Sequence, residues 1–246
     1  MQLGMEFWLL AVLGVLITGI SKSGFAGGMG VITVPLLALQ IGPIRAAAIM
    51  LPLLLVMDVL SVRAWLGQQR NDLLRLLLPA AFAGITVGYF LFDYLDEQKL
   101  SIMLGVLSIA FAVWGLFKGH GFKTEPKPWL GRTSGVVAGL TSFLTHAGGP
   151  PLNFYLLPLQ LPRPQFLATA VLFFAAINLV KLVPYTMLGQ INGANLLIGL
   201  ILAPVAWLGV WLGLKIQHKI NDKLFNRIIL LMLLVVGSKL IIDSYV

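Results

Sequence analysis

The chain contains no cysteine, which excludes disulfides, thiolate zinc sites, iron–sulfur clusters and cysteine nucleophiles. Charge is scarce: Asp, Glu, Lys and Arg make up 11% of residues, and nine acids with three histidines leave little for a metal centre. No cofactor is implied. What is abundant is apolar, since 59% of residues are hydrophobic and runs of membrane-spanning length recur from end to end. The chain therefore reads as an all-α polytopic membrane protein. Its net charge of +8 would suggest nucleic acid in a soluble protein. Here the basic residues fall in short loops between apolar spans, so topology explains them and no nucleic-acid partner is expected.

Five apolar segments fill the first half, at 5–20, 29–40, 44–66, 73–92 and 100–117, and five more follow at 133–145, 150–161, 165–188, 195–214 and 224–242. A hydrocarbon core of about 30 Å needs about 20 helical residues. The segments at 29–40, 133–145 and 150–161 fall short of that and read as half-helices, broken or re-entrant. The first segment has no basic flank before it and no cleavage context after it, so it reads as a retained helix rather than a signal peptide.

The halves align on one another. Gly14 falls on Gly135, Ala26-Gly27-Gly28 on Ala147-Gly148-Gly149, and Gly67-Gln68 on Gly189-Gln190. Pro79, Gly84 and Gly88 likewise fall on Pro204, Gly209 and Gly213. This divides the chain into a first repeat (1–120), a basic linker (121–131) and a second repeat (132–246). Arg63, Arg70 and Arg75, the linker residues Lys118, Lys123, Lys127 and Arg132, and Lys215, Lys219, Lys223 and Arg227 all lie inside under the positive-inside rule. Both termini are then outside. Five segments per repeat is an odd number, so the second copy enters from the opposite face and the 5+5 repeat is inverted.

Two interruptions carry the chemistry: Ser21-Lys22-Ser23-Gly24-Phe25-Ala26-Gly27-Gly28-Met29-Gly30 and Thr145-His146-Ala147-Gly148-Gly149-Pro150-Pro151. Broken helices in matching positions of two halves mark a transporter's binding site. Glycines let backbone amides approach a ligand, helix amino ends add partial positive charge, and prolines suit a helix start. The nearby side chains agree in sign: Lys22, His146 and the intramembrane Lys181. The expected anion site comprises Ser21, Lys22, Ser23, Gly24, Gly27, Gly28, His146, Gly148, Gly149, Asn153, Asn178 and Lys181. Asn178 lies about one helical turn before Lys181. Asp58 and His146 are the candidates for proton coupling.

Each has a structural alternative. Lys22 snorkels to headgroups or binds substrate, His146 bonds a carbonyl or a ligand, and Lys181 pairs with Asp58, near its repeat-related position, or contacts substrate. Arg45 and Arg163 are vestibule cations or anchors. Gly84 to Gly88 and Gly209 to Gly213 have the spacing of helix-packing faces, which leave room for a homodimer as well as internal contacts. Six tryptophans mostly near segment ends fit an interfacial belt.

The stretch GISKSGFAGGMGVITVPLL, from Gly19 to Leu37, resembles the first-repeat signature of the TauE/SafE family of sulfite exporters, and GLTSFLTHAGGPPLNFYLLPLQL, from Gly139 to Leu161, resembles its second-repeat counterpart. The resemblance covers essentially the whole chain. It implies a secondary transporter of small sulfur-containing or organic anions, such as sulfite, sulfoacetate or sulfonates, in a bacterial inner membrane. A non-enzymatic carrier that rocks around a midplane site is the expectation. An anion channel and an intramembrane enzyme built on Ser23 and His146 are the alternatives.

Overall fold

The computed structural model describes residues 3–24, 30–117, 127–216 and 222–245. Among them are ten α-helices, two short 3-10 turns and no strand. The helices are α1 (Met5–Gly24), α2 (Thr33–Ile41), α3 (Pro43–Trp65), α4 (Asn71–Phe92), α5 (Glu97–Phe117), α6 (Pro128–Thr145), α7 (Gly149–Leu156), α8 (Arg163–Met187), α9 (Gly193–Ile216) and α10 (Asp222–Asp243). Six of these, α1, α3, α4, α5, α8 and α9, are long and apolar enough to cross a membrane.

Two of the segments expected to be short are short: α2 has 9 residues and α7 has 8. The third, α6, has 18, because it begins at Pro128 rather than near 133. Proline at the first helical position lacks the donor that the first turn would leave unpaired, and Trp129, Leu130 and Gly131 continue the helix through a stretch that hydropathy undervalues. At about 1.5 Å per residue, α6 is about 27 Å long. Between α2 and α3, Gly42 turns the chain at φ 76°, with its N–H closing onto Ala38 O.

Small residues set the helix pairing. α1 packs on α9, α4 on α6, α5 on α10, and α3 on both α8 and α9. A Cβ placed on Gly19 would stand 2.9 Å from the backbone of Gly209, and one on Gly213 would stand 2.6 Å from Ile20 O. A Cβ on Gly84 would collide with Val136 O, and one on Gly139 with Ala81 O. Both glycine pairs therefore seat a neighbouring backbone, the small-residue mode by which membrane helices gain dispersion contact where lipid supplies no hydrophobic drive. Gly139→Ala is expected to destabilise the protein by about 1–3 kcal/mol, the usual cost of overpacking, seen as a lower thermal midpoint in detergent.

The apolar interior forms two clusters. One joins α1, α2, α9, α10 and parts of α3 and α5 through residues such as Phe7, Ile49, Met57 and Val210. The other joins α4, α6, α7 and α8 through Leu77, Phe143, Leu152 and Phe173. Helix α3 belongs to both, with Met50 in the first and Leu51 in the second. The buried polar residues of interest gather beside it.

Candidate anion site

Lys22 lies in the last turn of α1, where a cation faces the carbonyl-rich end of the helix dipole. Two side chains from other helices occupy those terminal carbonyls: Trp65 Nε1–H donates to Ser23 O at 3.0 Å and Arg163 Nη2–H to Gly24 O at 3.3 Å. The end of α1 is thus level with the end of α3 and the start of α8. Lys22 does not snorkel to the headgroups. It is 4% exposed and forms an ion pair with Asp58 of α3 at 2.8 Å. The other Asp58 oxygen accepts from Asn178 Nδ2 of α8 at 2.7 Å.

Lys181, one turn beyond Asn178, is fully buried but does not pair directly with Asp58. Its ammonium makes three contacts across α6: Ser142 O at 3.0 Å, Ser142 Oγ at 3.0 Å and His146 Nδ1 at 2.7 Å. A protonated Lys181 donates to Nδ1, and Nε2–H then donates to Ala47 O of α3 at 2.9 Å. Both ring nitrogens are engaged by one neutral tautomer. The His146 ring also stacks on Tyr185, whose hydroxyl donates to Phe143 O at 2.6 Å.

His146 occupies a position where glycine is usual. It caps α6 in the left-handed conformation, φ 55° and ψ 21°, with Ala147 N–H closing back onto Thr141 O. A side chain there costs about 1–2 kcal/mol, which the ring's contacts must offset. His146→Gly is therefore expected to be more stable than His146→Ala by about 1 kcal/mol in thermal unfolding, since both lose the ring and only glycine relieves the backbone.

Beside Lys22 is a cavity of about 30 Å³, room for about one water. Its wall is polar at Thr18, Lys22, Ser142, His146 and Asn178, and otherwise includes Val34, Met50, Leu54, Phe174 and Gly149. The Lys22 ammonium stands 5.8 Å from the centre of the Phe174 ring. Thr18 also bonds the Thr33 hydroxyl, which donates to Gly14 O and ties α2 to α1.

Five of the sequence-predicted residues come together here: Lys22, His146, Gly149 and Asn178 line the cavity, and Lys181 bonds His146 at its edge. Asp58 joins them through Lys22 and Asn178. The others are placed differently. Ser23 Oγ–H lies within hydrogen-bond distance of Gly19 O (2.9 Å) and Val210 O (3.1 Å), in the contact between α1 and α9. Gly24 lends its carbonyl to Arg163, and Gly148 packs against Ala138 O and Ser142. Ser21 and Asn153 are buried outside the cavity wall. Gly27 and Gly28 lie outside the described residues. Arg45 Nε–H points at Asn195 Oδ1, 3.4 Å away, joining the starts of α3 and α9.

Sequence reasoning missed Ser142, Thr18 and Phe174. For Ser142 the signal was its spacing: it precedes His146 by four residues, and its carbonyl accepts the His146 N–H that closes the last turn of α6.

Two buried lysines and one carboxylate, formally one net positive charge with both lysines protonated, gather at a small cavity inside a multi-pass helical protein. Intramembrane ionisable residues of this kind mark solute pathways, and the class defined is that of membrane transport proteins. The sequence profile described as sulfite exporter TauE/SafE matches residues 10–240, and the chain belongs to that family. Neither the curated proteins nor the solved structures contain a match.

Proposed function

We propose that the protein is a secondary transporter, working as an exporter, of small sulfur-containing or organic anions such as sulfite, sulfoacetate or sulfonates. The observation that carries this reading is the pair of buried lysines, Lys22 in the wall of one cavity and Lys181 bonded to His146 at its edge, with Asp58 paired to Lys22. Excess buried positive charge is costly unless an anion offsets it, and the family is one of anion exporters. Hydrogen bonds come from Ser142, Asn178 and Thr18.

Alternating access follows from an inverted 5+5 repeat spanning 1–120 and 132–246. It is supported by helix pairings that exchange partners when the halves are exchanged: α1 on α9 becomes α6 on α4, and α3 on α9 becomes α8 on α4. The short α2 and α7 then return beside α1 and α6 as re-entrant arms. The linker 121–131 is cytoplasmic and both termini are outside, in a bacterial inner membrane. With room for about one water, the cavity is too small for the anion, so rocking must widen it before an anion fits. Proton coupling belongs to Asp58 or His146, and a homodimer is compatible with the glycine-bearing faces. A channel would need a continuous path past Lys22, Asp58 and Phe174, and an enzyme would need Ser23 beside His146.

Uptake of labelled sulfite and methanesulfonate into proteoliposomes tests the reading. Saturable flux at carrier rates is the expected result. Conductance at channel rates, or no flux of either anion, would remove it.

A further inference from the structure

We propose that the charge of the transported anion decides whether a proton travels with it, and that Asp58 rather than His146 holds that proton. The inference rests on the transport reading above and extends it to the stoichiometry of the same site.

Charge must balance in a cavity with room for about one water. With Lys181 protonated, as acceptors at Ser142 O, Ser142 Oγ and His146 Nδ1 allow, two ammonium groups and one carboxylate leave one positive charge over. A singly charged anion, such as an alkanesulfonate, neutralises the cluster with Asp58 ionised. A doubly charged anion, such as sulfoacetate, leaves one negative charge in a low-dielectric interior, which is strongly unfavourable. A proton taken from the solution on the loading side onto an Asp58 oxygen restores neutrality. Lys22, released from its ion pair, then gives its full charge to the substrate.

Geometry assigns the proton to Asp58. One of its oxygens meets Lys22 of α1 and the other accepts from Asn178 of α8. Lys181 lies one helical turn beyond Asn178 on α8 and bonds His146 of α6. Around α3, helix α2 contributes no titratable side chain, the only ionisable residue of α9 is Lys215 in its last turn, and those of α5 are Glu97 and Lys99 at its start. Among the described residues, Asp58 is thus the acid of this cluster, held by Lys22 and Asn178. His146 cannot take the role without conflict. Its Nδ1 is 2.7 Å from the Lys181 ammonium and its Nε2–H is given to Ala47 O, so a second ring proton would point into a cation. His146 holds Lys181 in place.

The test compares methanesulfonate and sulfoacetate in proteoliposomes of the full chain, across a range of pH at clamped voltage. Sulfoacetate flux is expected to rise about tenfold for each unit of acidification on the loading side while Asp58 is mostly ionised, and methanesulfonate flux to change less than about twofold. The charge carried per anion, read as current against labelled flux, is expected to be one negative charge for both. Asp58→Asn is expected to make sulfoacetate flux insensitive to pH. Should that variant fail to fold, the charge ratio of the native protein decides alone. Two charges per sulfoacetate, the same pH slope for both anions, or a sulfoacetate slope that survives Asp58→Asn would overturn the inference and leave transport standing. Absence of flux for both anions at every pH would overturn the transport reading and this inference together.

Discussion

Lys22→Ala is expected to lower the unfolding free energy by about 3–5 kcal/mol and to abolish anion flux. The substitution leaves the Asp58 carboxylate buried without the ammonium it pairs with at 2.8 Å, and Asn178 alone cannot replace that charge. Stability and transport should separate in the double variant Lys22→Met with Asp58→Leu. Apolar replacements of a buried ion pair are often neutral or better for folding, so the double variant is expected to recover most of the lost stability. Its flux should stay at background, because the cavity has lost a cation. Denaturant or thermal unfolding in detergent, read alongside proteoliposome flux, checks both halves. A double variant that regains transport would mean the pair serves only to hold α1 against α3.

Lys181→Met makes the opposite demand. Lys181 is bonded to Ser142 and His146, neutral groups, and no carboxylate touches it. Burying such an ammonium is costly, whereas methionine fills nearly the same volume without charge. The variant is expected to unfold within about 1 kcal/mol of the native protein, the offset being the donor lost to His146 Nδ1. Flux should nevertheless fall about 10- to 100-fold, as befits a charged contact worth about 1.5–3 kcal/mol. A lysine whose removal costs little stability and most of the flux is there for the substrate. The reverse result, unfolding with flux retained in the surviving protein, would mark Lys181 as a structural cap on α6.

The spans, the second interruption and the glycine faces were legible in the sequence because each depends on local composition, whereas Ser21 to Gly24 of the first expected interruption continue α1 as helix. Apolar runs of about 20 residues announce membrane helices, and the spacings Gly84 to Gly88 and Gly209 to Gly213 announced packing faces: Gly84, Gly209 and Gly213 meet a neighbouring backbone and Gly88 the side chains of Phe143 and Leu140. Partner choice was not legible. Lys22 and Asp58 lie 36 positions apart, and whether Asp58 meets Lys22 or Lys181 depends on how α1, α3 and α8 cross. Asn153 and Ser142 were equally polar neighbours of His146. The left-handed turn at His146 aims the ring back along α6 toward Ser142, whereas Asn153 is carried away on α7. Ser23 looked like a ligand donor by position, but a neighbouring serine hydroxyl is drawn to carbonyls wherever a close helix offers one, and α9 does.

Locating the anion itself tests the account most directly. Selenite resembles sulfite and scatters anomalously, so crystals grown with it would place the anion without ambiguity. The account predicts a selenium peak between Lys22 and Lys181, within hydrogen-bond distance of both ammonium groups and of Ser142 or Asn178, in a cavity wider than the present 30 Å³. A peak only at exposed basic residues such as Lys127 or Arg132, with the Lys22–Asp58 pair intact and the cavity empty, would contradict it.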